Sequence, residues 1–150
     1  MRKLFVDTNI FYNILFRTEL TSIARRILEE NSDAMFYTSM IVVNELLYIS
    51  TAKYFRDRGI AKGGFSLRKA LSRYGYPREV VEGIKGLLED LDIHVLPDKQ
   101  DIDELMRVAI EYRLLPNDAI IALTCRRYGI DTILTFDEDF KRIPWLKVIP

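Results

Sequence analysis

The chain has 150 residues, 49% of them apolar and 29% charged, which is globular composition rather than that of a disordered or collagen-like chain. Lysine plus arginine equals aspartate plus glutamate at 22 each, so overall charge does not mark a nucleic-acid binder. One cysteine, Cys125, and one histidine, His94, exclude an internal disulfide, a multi-cysteine zinc site and a histidine-rich metal site.

Lys3–Val6 is a short apolar run of strand formers that ends at Asp7. The spacing of Ile23, Ile27 and Leu28 predicts a helix over Thr21–Glu30. Ala34–Thr38 reads as a second strand. Ser39 follows as the N-cap of a helix to about Phe55, with Val42, Leu46, Ile49 and Ala52 as its apolar positions. Gly59, Gly63 and Gly64 break the next stretch into a turn or loop. A short helix is expected over Ser66–Tyr74 and another from Pro77 to about Leu91. Ile93–Leu96 reads as a third strand, stopped by Pro97. Helices follow over Asp101–Tyr112 and Asn117–Tyr128, the second closed by Gly129. Thr132–Phe136 is a fourth strand and Leu146–Ile149 a candidate fifth. Strands alternating with helices indicate βαβ units and a parallel sheet of four to five strands covered on both faces. The expectation is one α/β domain over residues 1–150.

The even charge balance hides two blocks. Between Lys53 and Arg78 lie eight basic residues, Lys53, Arg56, Arg58, Lys62, Arg68, Lys69, Arg73 and Arg78, opposed by Asp57 alone. From Glu79 to Glu111 ten acids face three bases. The basic block, a helical elaboration at about 53–78, has the density to track a phosphate backbone; a solvated helical face beside a loop is the other reading. Leu4-Phe5-Val6 is cut by Asp7, Asn9 and Asn13, too short a run for a secretory signal or a membrane span. A cytoplasmic protein is expected, with no membrane partner.

Ligands of open parallel sheets bind beyond the carboxyl ends of the strands, and four acids fall there. Asp7 follows the first strand and Asp137 the fourth. Glu45 lies six residues into the helix after the second strand, long enough to reach back toward the helix start. Asp118 opens the helix that feeds the fourth strand, so its N-terminus lies at the same edge. Packed together, four carboxylates repel unless they protonate or a cation sits between them. Oxygen-only ligands favour Mg²⁺ or Mn²⁺, and such a cluster is apparatus for metal-assisted phosphodiester hydrolysis. Thr8, Asn9 and Thr135 lie beside the acids as hydrogen-bond partners. Each acid alone also reads as a helix cap or turn residue.

The ordered set resembles the PIN-domain family of metal-dependent nucleases. Asp7-Thr8-Asn9 is similar to its opening motif, Glu45 in Val43-Asn44-Glu45-Leu46 to its helical glutamate, Asp118 in Pro116-Asn117-Asp118-Ala119 to its third acid, and Asp137 in Thr135-Phe136-Asp137-Glu138-Asp139 to its fourth. The resemblance runs from Leu4 to about Phe140. It implies a PIN-like three-layer α/β/α sandwich, Mg²⁺ or Mn²⁺ held by Asp7, Glu45, Asp118 and Asp137, and endonucleolytic cleavage of single-stranded RNA. Asp139 is a second acid in the last motif and an alternative to Asp137. Small members resemble VapC-type toxins, commonly homodimers paired with an antitoxin. On this reading Lys53, Arg56, Arg58, Lys62, Arg68 and Lys69 bind RNA phosphates, and aromatics such as Tyr54, Phe65 or Tyr76 stack on bases or pack internally.

Other enzyme classes fit less well. A haloacid-dehalogenase phosphatase wants a second aspartate where Asn9 stands, and a response-regulator receiver wants an acid beside Asp7. A P-loop is missing, as is a Gly-x-Ser-x-Gly elbow to accompany His94. The alternatives kept are a non-catalytic RNA- or protein-binding module on the same fold, and a nuclease of RNA processing rather than a toxin.

Overall fold

Short apolar runs closed by polar residues form the strands, and longer amphipathic runs form the helices between them. The computed structural model describes residues 1–61 and 64–150. Lys62 and Gly63 of the basic stretch lie outside the described residues, as does the side chain of Phe65. In chain order come β1 (Lys3–Val6), α1 (Thr8–Leu15), α2 (Thr21–Glu30), β2 (Met35–Ser39), α3 (Met40–Asp57), α4 (Gly64–Tyr74) and α5 (Arg78–Asp90). They are followed by β3 (His94–Leu96), α6 (Ile102–Tyr112), α7 (Pro116–Arg127), β4 (Thr132–Leu134), a 3₁₀ turn (Glu138–Arg142) and β5 (Lys147–Ile149).

The five strands are parallel in the order β3-β2-β1-β4-β5. Right-handed crossovers put α1–α5 on one face and α6 and α7 on the other, giving the α/β/α sandwich. Most helix contacts divide likewise, with α1 against α2, α3 and α5, and α6 against α7, while α3 also meets α7. Central strands of such a sheet are buried on both sides, and Leu4, Phe5, Val6, Ile133 and Leu134 are fully enclosed. The chain moves from β1 outward to β2 and β3, then returns to β4 on the other side of β1. That reversal opens a crevice between the carboxyl ends of β1 and β4.

Three local departures from the expected elements have physical reasons. The sequence sets no bounds for helix α1, since Thr8–Leu15 is only eight residues long, too short for periodicity to show. Its Asn13 is buried yet satisfied, donating to Asn9 O and accepting from Thr18 Oγ1. The fourth strand stops at Leu134 rather than Phe136, because Thr135, Phe136 and Asp137 turn into the crevice. Ser39 stands at the N-cap position of α3 but its hydroxyl makes no capping bond. Asp98, after β3, caps this helix instead, its Oδ2 accepting from Ile41 N at 2.7 Å.

A satellite apolar cluster of Phe55, Ala61, Leu67 and Ala70 packs α4 against the second half of α3. Among the described residues no helix is long and apolar enough to cross a membrane.

Candidate active site

Asp7 sits where β1 gives way to α1, 5% exposed. Its Oδ1 accepts from Thr8 N at 2.7 Å and its Oδ2 from Thr135 Oγ1 at 2.7 Å. The Thr135 hydroxyl is a junction, because Asn9 Nδ2 and Asp137 N both donate to it at 3.0 Å. Asn9 Oδ1 in turn accepts from Phe136 N at 3.0 Å. The opening Asp7-Thr8-Asn9 and the Thr135–Asp137 turn are thus stitched together across the switch point. Burial pushes the Asp7 carboxyl from its ordinary 3.8 up to about 6. The hydrogen bonds from Thr135 and Thr8 oppose that rise, and the neighbouring carboxylates of Glu45 and Asp137 add to it.

Asp118, in the first turn of α7, is half-buried, and its carboxyl is pushed up further, to about 7. Desolvation is the leading cause, followed by repulsion from Asp7, Asp137, Glu45 and Asp139. Five carboxyls therefore lie within electrostatic reach at one rim of the sheet. Asp118, Asp137 and Asp139 each offer an oxygen within 4.8 Å of the other two. Asp137 also accepts from Asp139 N at 2.9 Å, while Asp139 makes a short ion pair with Arg142. Glu45, half-buried on α3, accepts from Asn117 Nδ2 at 3.1 Å. An all-oxygen set of this kind suits a hard divalent cation of the Mg²⁺ or Mn²⁺ type. A cation there would also relieve the mutual repulsion that, after burial, raises Asp7 and Asp118.

The PIN-domain family model matches residues 4–146. The chain belongs to the PIN-domain family. It is 29% identical over 149 residues to Ribonuclease VapC6 of Methanocaldococcus jannaschii, covering 97% of this chain and 95% of that protein. Ribonuclease VapC2 of the same organism is 31% identical over 151 residues, covering 98% and 93%. Among solved structures, VapBC2 from Rickettsia felis bound to a promoter DNA fragment superposes with a TM-score of 0.67 at 17% identity, over 98% of this chain and 97% of that one. That likeness is one of fold.

Two features of this PIN domain were not singled out from its sequence. Asn117 links Glu45 to the helix of Asp118; an amide next to an acid at a helix start is so common that its neighbour gave no signal. Asp98 is the other. Besides capping α3, its Oδ1 accepts from Thr124 Oγ1 of α7 at 2.6 Å, and Thr124 Oγ1 also accepts from Gln100 Nε2 at 2.9 Å. Asp98 thus ties together the two helices that carry Glu45 and Asp118.

The basic residues sit in different settings. Lys53 pairs with Asp57 at 2.9 Å and its ammonium lies over the Phe16 ring. The Arg58 guanidinium stacks on Tyr54 at 3.4 Å from the ring centre, so Tyr54 is packed within the protein. Arg56, Arg68 and Lys69 are exposed, and Arg68, Lys69 and Arg73 line one hollow on α4. His94 is exposed at the sheet edge against Tyr37, and Cys125 is buried in α7.

Proposed function

We propose that this PIN domain is a Mg²⁺- or Mn²⁺-dependent endoribonuclease that hydrolyses phosphodiester bonds of single-stranded RNA. The observation that carries the reading is the crowding of Asp7, Glu45, Asp118, Asp137 and Asp139 at one sheet rim, where burial first and then mutual repulsion raise Asp7 and Asp118. Asp7, Glu45, Asp118 and Asp137 hold the ion, with Asp139 beside Asp137 as a further oxygen donor partly neutralised by Arg142. A divalent ion at this place supplies Lewis-acid activation and charge neutralisation for phosphoryl chemistry. Thr135 and Asn9 fix the Asp7 carboxylate, Asn117 fixes Glu45, and Thr8 contributes its backbone N–H to Asp7.

The whole chain acts as one nuclease domain, with residues 53–78 as its RNA-facing elaboration. Arg56, Arg68 and Lys69 contact phosphates, Lys62 extends the set, and Lys53 and Arg58 contribute field more than direct contact. The ribonuclease names of the VapC relatives and the two-component VapBC neighbour support a VapC-type toxin working in the cytoplasm with an antitoxin partner. A homodimer would cover the exposed apolar stripe of Ile102, Met106 and Ile110 on α6.

The test is cleavage of a labelled single-stranded RNA by wild type and Asp118→Asn in Mg²⁺, Mn²⁺ or EDTA. Cleavage by the wild type with either metal is expected, and loss of it in EDTA or in the variant. Equal activity in EDTA, or in the variant, would refute the assignment.

A further inference from the structure

Resting on the nuclease reading, we propose that the groove between α3 and α4 is the subsite for one nucleobase, that of the nucleotide next to the scissile phosphate. The groove encloses about 230 Å³. That is below the range of about 300–1,000 Å³ typical of pockets for whole drug-sized molecules, and it suits a single planar fragment. It adjoins the acid cluster, since Glu45 belongs to both and Asn117, which also lines the groove, donates to Glu45.

The lining has the chemistry of base recognition. Tyr48 of α3 and Tyr76 of the α4–α5 turn line the groove while remaining 55% and 54% exposed. Such rings are stacking platforms that accept any base. The floor is apolar, made by Leu67 and Leu71 of α4. Thr51 completes the wall, its hydroxyl buried without a hydrogen-bond partner among the described residues. An unpaired buried hydroxyl is costly within a protein, and here it borders a cavity.

Helix geometry gives the register. Tyr48 is three residues beyond Glu45 and Thr51 three beyond Tyr48, so all three share one face of α3. One helical turn, about 5 Å, separates a base against Tyr48 from the carboxylate of Glu45. The phosphate attached to that nucleotide then falls at the acids. Leaving the groove, the strand passes α4, whose Arg68 and Arg73 are exposed.

The test measures affinity of the full chain in EDTA for a fluorescein-labelled single-stranded hexaribonucleotide, and for a panel with one abasic residue at each position in turn. One abasic position is expected to weaken binding about tenfold, within the range of one lost stacking contact. Tyr48→Ala and Tyr76→Ala should each weaken the intact RNA by a similar factor and abolish the penalty at that position, while Tyr48→Phe keeps both. An RNA series in which no position stands out, or tyrosine variants that retain the penalty, overturns the proposal; the groove would then be a protein-docking surface. Cleavage of the intact hexamer by the wild type in Mn²⁺ is scored separately. A base penalty without cleavage sinks the nuclease reading alone, and cleavage without a base penalty sinks the subsite alone.

Discussion

Replacing Asp7 by Asn keeps the side-chain volume and removes one charge from the rim. Asp7 has a folded-state value of about 6 against 3.8 for the ordinary carboxyl. At about 1.4 kcal/mol for each pH unit, ionising it inside the fold costs about 3 kcal/mol of stability. The folded value lies above the unfolded one, so this stability is fully present below about pH 4 and is lost as pH rises through about 6. Asp118 acts in the same direction up to about pH 7, and it relaxes when Asp7 is neutral because Asp7 is one of the charges raising it. Urea unfolding in EDTA between pH 4.5 and 8 should therefore show the wild type weakening with pH and Asp7→Asn weakening less. The variant should be the more stable protein at pH 8, by about 1–2 kcal/mol, because the amide nitrogen that replaces Oδ2 cannot accept from Thr135 and offsets part of the gain. Saturating Mn²⁺ should reverse the order, since a ligand at 100 times its Kd adds about 2.7 kcal/mol to the protein that binds it. Parallel pH curves for the two proteins, or equal stabilisation of both by Mn²⁺, would refute the reasoning.

Thr135→Val removes the donor to Asp7 Oδ2 and the acceptor of Asn9 and Asp137 N. It should destabilise the fold by about 1–3 kcal/mol and shift the acid limb of the pH–activity profile upward, because the lost hydrogen bond was lowering Asp7; an unmoved limb counts against that role. Asp98→Ala strips the cap from α3 and its tie to α7. Urea unfolding should show a loss of about 1–2 kcal/mol and electron paramagnetic resonance a weaker Mn²⁺ affinity, with Asp98→Asn recovering most of both; wild-type behaviour of the alanine variant would remove Asp98 from the site's support.

The parts of the fold that bury long amphipathic faces were legible in the sequence. Helices α2, α3 and α5–α7 lie within two residues of the spans expected from Ile, Leu and Val spacing and from Pro77 and Gly129. The parallel sheet followed from the alternation of strands and helices, and its order placed Asp7 and the Thr135–Asp137 turn at one crevice. What the sequence did not disclose was tertiary in origin. A local rule makes Ser39 the cap of α3, yet Asp98, separated from Ile41 by 57 residues, takes the role with a charge. Charge counting treats Arg58 and Arg68 alike, whereas one is stacked on Tyr54 and the other lines a hollow on α4. The sequence leaves Asp137 and Asp139 as alternatives, with Asp137 closer to the strand end. The 3₁₀ turn, too short to leave a periodic trace, brings both within reach of Asp118.

The hydrogen bond from Thr135 to Asp7 joins residues 128 apart in the chain, and β1 and β4 pair over the same separation. Contacts so distant in sequence form slowly, because the intervening polymer must close into a loop before any interaction rewards it. A polypeptide that has not yet brought its two ends together has no shared rim of carboxylates. The connectivity of the sheet thus confines the assembled carboxylate rim to molecules whose folding is finished.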